Sequence, residues 1–283
     1  MANETTSTSL NDLIPQIVAE AMFVASERSI MRNLVKNYTL PMGSGKTITV
    51  PRYPTQTAAG VNEGTDLTNT SVATDGATLT VSEVGIMTTV TDYARMTSAS
   101  NVIADVGRLF GEAIARKIDT DLTALFDGFS TNTLGDGTTA ISAAVVFQAV
   151  AKLRSAGVPG TDLFCVLHPA IAYDLKANLT NTFANPNAGL IQNEAMASGY
   201  VGMLAGVPIF ETSNMANTGT AGDFKGGLFH RDALGLALLQ DIKIETQRDA
   251  SLRADEIVAT AVYGVGELYD GYGVELHYDS SIL

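Results

Sequence analysis

Few residues in this chain could do chemistry, and their spacing argues against most of them. Three histidines are present, His168, His230 and His277. None stands in an HExxH pattern or beside a cysteine at metal-ligand spacing. Each reads as capping a strand end or lying at the surface. The single cysteine, Cys165, sits in the apolar run "LFCVLHP". It has no partner for an intramolecular disulfide, which fits a reducing compartment, and its neighbours predict a buried, inert thiol. Asp119, Asp121 and Asp127 fall on one predicted helix, but their spacing does not bring all three to one face. Asp255 and Glu256 are adjacent and read as solvated. The turn "LGDGTT", Leu134 to Thr139, lacks the ligand spacing of a calcium loop, and no GxSxG elbow occurs. The expectation is a protein with no catalytic centre, no metal and no cofactor.

One stretch asks for more care. "GSGKT", Gly43 to Thr47, ends like a phosphate-binding loop. The full pattern needs a glycine five residues before the Gly-Lys pair, and Leu40 stands there. Such a loop must also open a helix, whose N-terminal N–H groups meet the phosphates. Here "TITVPRYP" follows, alternating like a strand and then interrupted by Pro51 and Pro54. The stretch reads as a glycine turn that launches an extended arm.

Composition narrows the class. The chain has 283 residues, 46% of them apolar and only 17% charged. That supports a sizeable core in one large domain or two lobes. The net charge of −13 removes any general attraction to nucleic-acid phosphates, and no Lys/Arg run makes a local exception. The first residues, "MANETTSTSLNDLIPQ", lack the basic and apolar regions of a signal peptide. No apolar run is long enough to span a membrane. Tryptophan is absent, which argues weakly against a carbohydrate-binding surface.

The elements follow from periodicity. Residues 1–9 read as a disordered tip. Leu13, Ile14, Ile17, Ala21, Val24 and Ile30 fall near helical spacing between Leu10 and Leu34, an amphipathic arm without a local partner. "KTITVPRY" and "ATLTVSEVGIMTTVTDY" read as strands flanking more than twenty polar residues. That predicts a long hairpin projecting outward, which is marginal alone and needs another molecule for support. Residues 98–127 are the clearest helix, capped by Ser98 or Ser100 and closed by Gly128. Gly107 and Gly111 would let something pack closely on one of its faces. A helix follows from Ile141 to Ala156, then a strand closed by Pro169 and a short helix. A loop with a helical turn comes next, then a hairpin turning at Ala205-Gly206. Further strands run through "IKIETQRD", and two closing strands flank Asp270-Gly271. The class is α+β, and no repeat appears.

The order of parts resembles the major capsid proteins of tailed bacteriophages, with the Hong Kong 97-type fold. Three stretches carry the resemblance. Val61 to Leu122 contains Asn62-Glu63-Gly64, then strands, then a "DYA…S" transition into the long helix. Ala205 to Met215 is "AGVPIFETSNM", similar to an axial-domain strand. Phe229 to Leu276 resembles the C-terminal strands. The resemblance implies an N-terminal arm at 1–45 and an extended loop at 46–92. It implies the spine helix of a peripheral domain at 93–139 and an axial domain at 140–240. C-terminal strands at 241–283 would return to the peripheral domain.

The same resemblance implies self-assembly into pentamers and hexamers of an icosahedral shell. The shell would enclose a double-stranded DNA phage genome without sequence-specific binding. The virion capsid would form in the host bacterial cytoplasm, away from any membrane. Fewer than fifty residues precede the loop, so a separate scaffolding protein is expected; the resemblance also implies a portal and leaves open whether a decoration protein is present. An encapsulin-like nanocompartment shell is the alternative within the same fold. Tail, adhesin and nucleotide-enzyme readings lack the repeats or the loop they need. Arg52, Glu63, Asp66, Asp75, Arg108, Arg116 and Lys117 are the candidate inter-subunit contacts. The loop acids would meet spine cations, or Lys243, Arg248 and Arg253, of a neighbour. Thr47 to Arg116 contains no lysine, so a lysine crosslink at the loop tip is unavailable and the shell is expected to be non-covalent.

Overall fold

The computed structural model describes residues 30–43, 45–53, 56–58, 60–64, 74–98, 102–182, 202–215 and 222–283, with a few further positions between 66 and 72. Most of the arm helix expected between Leu10 and Leu34 lies outside the described residues. So does the helical turn expected within 183–199.

The chain enters through helix α1 (Met31–Leu34) and strand β1 (Lys36–Thr39). Strands β2 (Thr47–Arg52), β3 (Asp75–Thr80) and β4 (Ser82–Thr91) follow, then helices α2 (Asp92–Thr97) and α3 (Val102–Ala124). Next come β5 (Thr133–Leu134), α4 (Ala143–Ser155), β6 (Leu163–Leu167) and α5 (Pro169–Thr182). The remaining strands are β7 (Met203–Leu204), β8 (Val207–Glu211), β9 (Asp223–His230), β10 (Leu234–Asp249), β11 (Ala254–Glu267) and β12 (Gly273–Asp279).

Two sheets organise the described residues. One has the order β1-β10-β11-β4 and the other β5-β12-β9-β6-β8-β7. The spine helix α3 packs on β10 and β11 of the first sheet. Its buried line, Ile114, Ile118 and Leu122, recurs every four residues, which is one helix face. It meets alternate residues of β11, where Ala259, Ala261 and Tyr263 are buried. The two alanines keep that strand face low, so the helix can lie close. At 1.5 Å per residue, α3 spans about 35 Å. Beyond Ala124 it tightens into a 3-10 turn, Leu125–Gly128. There Phe126 meets Phe229 of β9 with centroids 5.4 Å apart. One continuous apolar core therefore joins the helix to both sheets.

Several boundaries differ from expectation. The helix predicted over 98–127 is found as α3, Val102–Ala124, with a 3-10 turn to Gly128, and the separate short helix α2 precedes it, starting where an extended pattern is expected. Ser98 closes α2, its N–H donating to Ala94 O at 3.1 Å, and Thr91 Oγ1 caps the start of α2 by accepting from Ala94 N. "ATLTVSEVGIMTTVTDY" breaks at Val81, so β3 pairs with β2 while β4 pairs with β11. Leu234 to Asp249 is one strand, with register shifts near Gln240. The closing strands part company: β11 lies against α3, whereas β12 pairs with β9 and β5 in the six-stranded sheet. The Ala205-Gly206 turn is found as expected, both residues at positive φ. Gly107 does admit a close neighbour, Ile244 of β10, while nothing described approaches Gly111.

Candidate assembly surfaces

The chemistry-bearing residues are structural. Lys46 of the "GSGKT" stretch runs straight into β2, and its carbonyl accepts from Val81 N at 2.9 Å. The turn opens a strand, which cannot offer a helix N-terminus to phosphate. His168 and His230 each follow or end a strand, and each Nδ1 accepts a backbone N–H two residues on, Ala170 at 3.3 Å and Asp232 at 3.1 Å. His277 departs from expectation. It lies inside β12, mostly buried, with Nε2 2.7 Å from Asp223 Oδ1. Cys165 is fully buried, and burial pushes its thiol up to about 12, so it stays protonated and unreactive.

The acids are also committed. Asp119 is buried and accepts from Ile30 N at 2.9 Å, which pins the entering chain to the spine. Asp121 accepts the Tyr263 hydroxyl at 2.7 Å. Asp127 pairs with Lys225. Asp255 is not solvated, as adjacency to Glu256 suggested. It is 16% exposed and takes Arg95 at 2.7 Å and Arg248 at 3.4 Å. Among the described residues no group of three His, Cys, Asp or Glu could hold a metal.

The projecting element is built from β2 and β3, antiparallel with Thr47 opposite Thr80 and Arg52 opposite Asp75. Contrary to a wholly unsupported hairpin, its strands are docked on their own chain. Leu79, Ala77 and Val81 form a satellite core with Leu40, Ala237 and Leu268. Arg52 and Asp75 are ion-paired across the far end of the hairpin. Beyond them lies the polar segment 53–74, where Glu63 and Asp66 are exposed and have no ion pair among the described residues. Tyr53, Val61 and Val72 are exposed there too.

The structure does not bring the spine cations to the loop acids within one chain. Arg108 lies 3.8 Å from Glu112, Lys117 lies 2.5 Å from Asp121, and Arg116 donates to Asn214 Oδ1 at 2.9 Å. Arg108 and Lys117 remain 56% and 53% exposed, open to a second partner. Lys243 pairs with Glu245, and Arg248 grips Asp92 with both Nη atoms at 2.6 and 2.5 Å. Arg253 is exposed at the β10–β11 turn with φ 51°. Two clusters escaped sequence reasoning: Asp92-Arg95-Arg248-Asp255, and Lys225 with Asp127 and Glu275. Each cluster joins segments far apart in sequence, 92–95 with 248–255 and 127 with 225 and 275, so local spacing alone does not announce them.

A long helix laid on one sheet, a second mixed sheet beside it, and a hairpin whose described far-end residues are exposed make up the fold. Solved structures share this fold. A capsid structure of the cyanophage P-SCSP1u matches with a TM-score of 0.71 at 19% identity, covering 90% of this chain and 89% of that one. A Mycobacterium phage Che8 structure matches at 0.70 and 22% identity, covering 88% and 91%. The SrpI encapsulin of Synechococcus elongatus PCC 7942, solved as a holo complex, matches at 0.65 and 11% identity, covering 90% and 89%. No curated protein matches the chain. The chain belongs to the phage capsid protein family, whose model matches residues 74–274. It is a structural shell protein of the virion capsid, with the Hong Kong 97-like fold.

Proposed function

We propose that this chain is the repeating, non-enzymatic subunit of an icosahedral shell built from pentamers and hexamers around a double-stranded DNA genome. One observation carries the reading. The described residues of segment 53–74 include exposed acids, Glu63 and Asp66, and exposed large apolar side chains, Tyr53, Val61 and Val72, that nothing else among the described residues covers. Such a segment is stable against the surface of a neighbouring copy. In this reading residues 1–45 are the arm and 46–92 the extended loop. The spine region is 93–139, 140–240 forms most of the axial lobe, and 241–249 with β11 returns to the spine. Glu63 and Asp66 of one copy face Arg108, Arg116 or Lys117 of the next, while Arg52 and Asp75 serve the loop's base.

A separate scaffolding protein and a portal are the expected partners. The charge of −13 suits a wall that contains DNA without gripping it. The encapsulin likeness supports a second reading, a nanocompartment shell around a protein cargo. Sedimentation velocity of particles from the native source, followed at 260 and 280 nm, separates the two. A megadalton boundary rich in nucleic acid is expected. Protein absorbance alone, with a cargo found by mass, would favour the nanocompartment. A slow single-chain boundary that no scaffolding partner rescues would refute both.

A further inference from the structure

The far end of the β2–β3 hairpin is closed by one side chain acting in three directions. Arg52 ends β2 and its Nη2 pairs with the Asp75 carboxylate at the start of β3. Its Nη1 donates to Leu268 O at 2.7 Å. Its guanidinium lies over the Tyr269 ring, 5.7 Å from the centroid. The receiving surface is rigid. Leu268 is buried and its own N–H donates to Ala233 O at 2.7 Å. Tyr269 is backed by Tyr272, with centroids 4.9 Å apart. At the near end of the hairpin, Val81 N holds Lys46 O. Between the two ends, Leu79 seats against the four-stranded sheet. The paired strands therefore belong to the body, and the free segment starts beyond Arg52 and Asp75, not at Lys46.

We propose that Arg52 is a positioning residue for shell assembly: it clasps the end of the hairpin to the Leu268–Tyr269 turn and so fixes where, and in which direction, residues 53–74 leave the body. The proposal rests on the shell-subunit reading above. Only a planar guanidinium can serve a carboxylate and a carbonyl with different nitrogens while covering a ring. A lysine ammonium carries all its donors on one atom, so it cannot place separate nitrogens on the Asp75 carboxylate and on Leu268 O, nor lay a planar group over the Tyr269 ring. The stakes come from leverage. Out and back, residues 53–74 reach at most about 35 Å from this base. A tilt of about 10° there moves the far tip by roughly 6 Å, enough to miss a neighbour's docking surface.

The test compares Arg52→Ala, Arg52→Lys and Leu79→Ala with the unaltered full-length chain. Hydrogen exchange is read on the soluble subunit and particle diameter by electron microscopy after assembly. In both Arg52 variants, amides near Arg52 and Asp75 should exchange about tenfold faster, as loss of one charge-assisted hydrogen bond implies. Those of β10 and β11 should not change, and Tm should hardly move. Their particles should be heterogeneous in diameter. Leu79→Ala marks the purely structural outcome, a lowered Tm with the whole hairpin loosened. Unchanged exchange in Arg52→Ala and Arg52→Lys would overturn the clasp. Faster exchange with uniform particles of normal diameter would overturn its positioning role. Failure of the unaltered chain to assemble with any partner would count against the shell reading instead, and exchange would still judge the clasp.

Discussion

Leu79 occupies the space that a side chain at position 266 would need: a Cβ added to Gly266 would lie 2.6 Å from Leu79 Cδ2. Gly235, on the neighbouring strand β10, leaves the same opening, with Leu79 Cδ1 3.1 Å from its missing Cβ. Leu79 is 1% exposed although it belongs to the projecting hairpin. The two glycines thus form a socket in the four-stranded sheet into which the hairpin plugs. Gly266→Ala should push Leu79 out and cost about 1–3 kcal/mol, the usual price of overpacking. Leu79→Ala should cost about 2–5 kcal/mol through the cavity it leaves. Because the two changes act on one contact, the double variant should cost clearly less than the sum. Urea melts of the four proteins measure this, and strict additivity would mean that the socket does not hold Leu79.

Lys225 bridges two carboxylates, and only one of them is in solvent. Its ammonium pairs with Asp127 and lies 3.0 Å from Glu275, whose side chain is 7% exposed. Those hydrogen bonds hold the Lys225 ammonium above its ordinary range. Lys225→Met should leave Glu275 charged and buried, and lower stability by about 1–3 kcal/mol. Adding Glu275→Gln should restore part of the loss, since a neutral amide needs no counter-charge. If the double variant is weaker than Lys225→Met alone, the uncompensated charge of Glu275 is not what destabilises Lys225→Met, and this account fails.

These side chains also mark how far the sequence could be read. The elements with a strong period were legible: the spine around Ile114, Ile118 and Leu122, and the alternation of Ile48 and Val50 in the hairpin. The glycine turn at "GSGKT" was legible because Pro51 and Pro54 rule out a helix. Pairing between strands was not. Nothing local tells β4 to leave β3 at Val81 for β11, or β12 to leave β11 for β9, because register is set by which faces must be buried. The glycines of β10 and β11 look like weak strand positions until Leu79 is placed over them. Asp255 looked solvated because its cations, Arg95 and Arg248, approach from another strand and helix. Of the proposed contact residues, Arg52 and Asp75 find each other, Arg108 and Lys117 find acids on their own helix, and Arg116 finds the Asn214 amide oxygen of its own chain. Glu63 and Asp66 have no ion pair among the described residues.

Glu267 sets a pH dependence opposite to that of an ordinary ion-paired acid. Burial raises its carboxyl above the usual range, Asp270 adds to this, and Arg52 pulls the other way. The folded chain therefore holds this proton more tightly than the unfolded chain does. The stability gained from the protonated form is full below the unfolded pKa and is lost as pH rises through the folded one. At neutral pH the ionised Glu267 opposes folding. Glu267→Gln should raise Tm at about pH 7 and leave it unchanged at about pH 3.5, where the native acid is already neutral. Thermal melts of both proteins at the two pH values decide it. An equal gain at both would assign the effect to packing.

A crosslink that uses a lysine of the projecting loop is ruled out by the residues available there. An isopeptide bond needs an amine that can lose a proton and attack a carbonyl. The only cation described between Thr47 and Asp75 is Arg52, a guanidinium and not an amine, already engaged by Asp75 and Leu268 O. No lysine occurs from Thr47 to Arg116. Lys46 lies at the near end of the hairpin, beside Val81, on the body side of the Arg52 clasp. Lys117 sits on the spine, held 2.5 Å from Asp121. Mature particles boiled in detergent should therefore run as a single-chain band, and their resistance to dissociation should fall with added salt, since exposed ion pairs of about 0–1 kcal/mol each are screened. A ladder of covalent oligomers on the same gel would show that another lysine reaches a neighbour, and mass spectrometry of the linked peptide would name it.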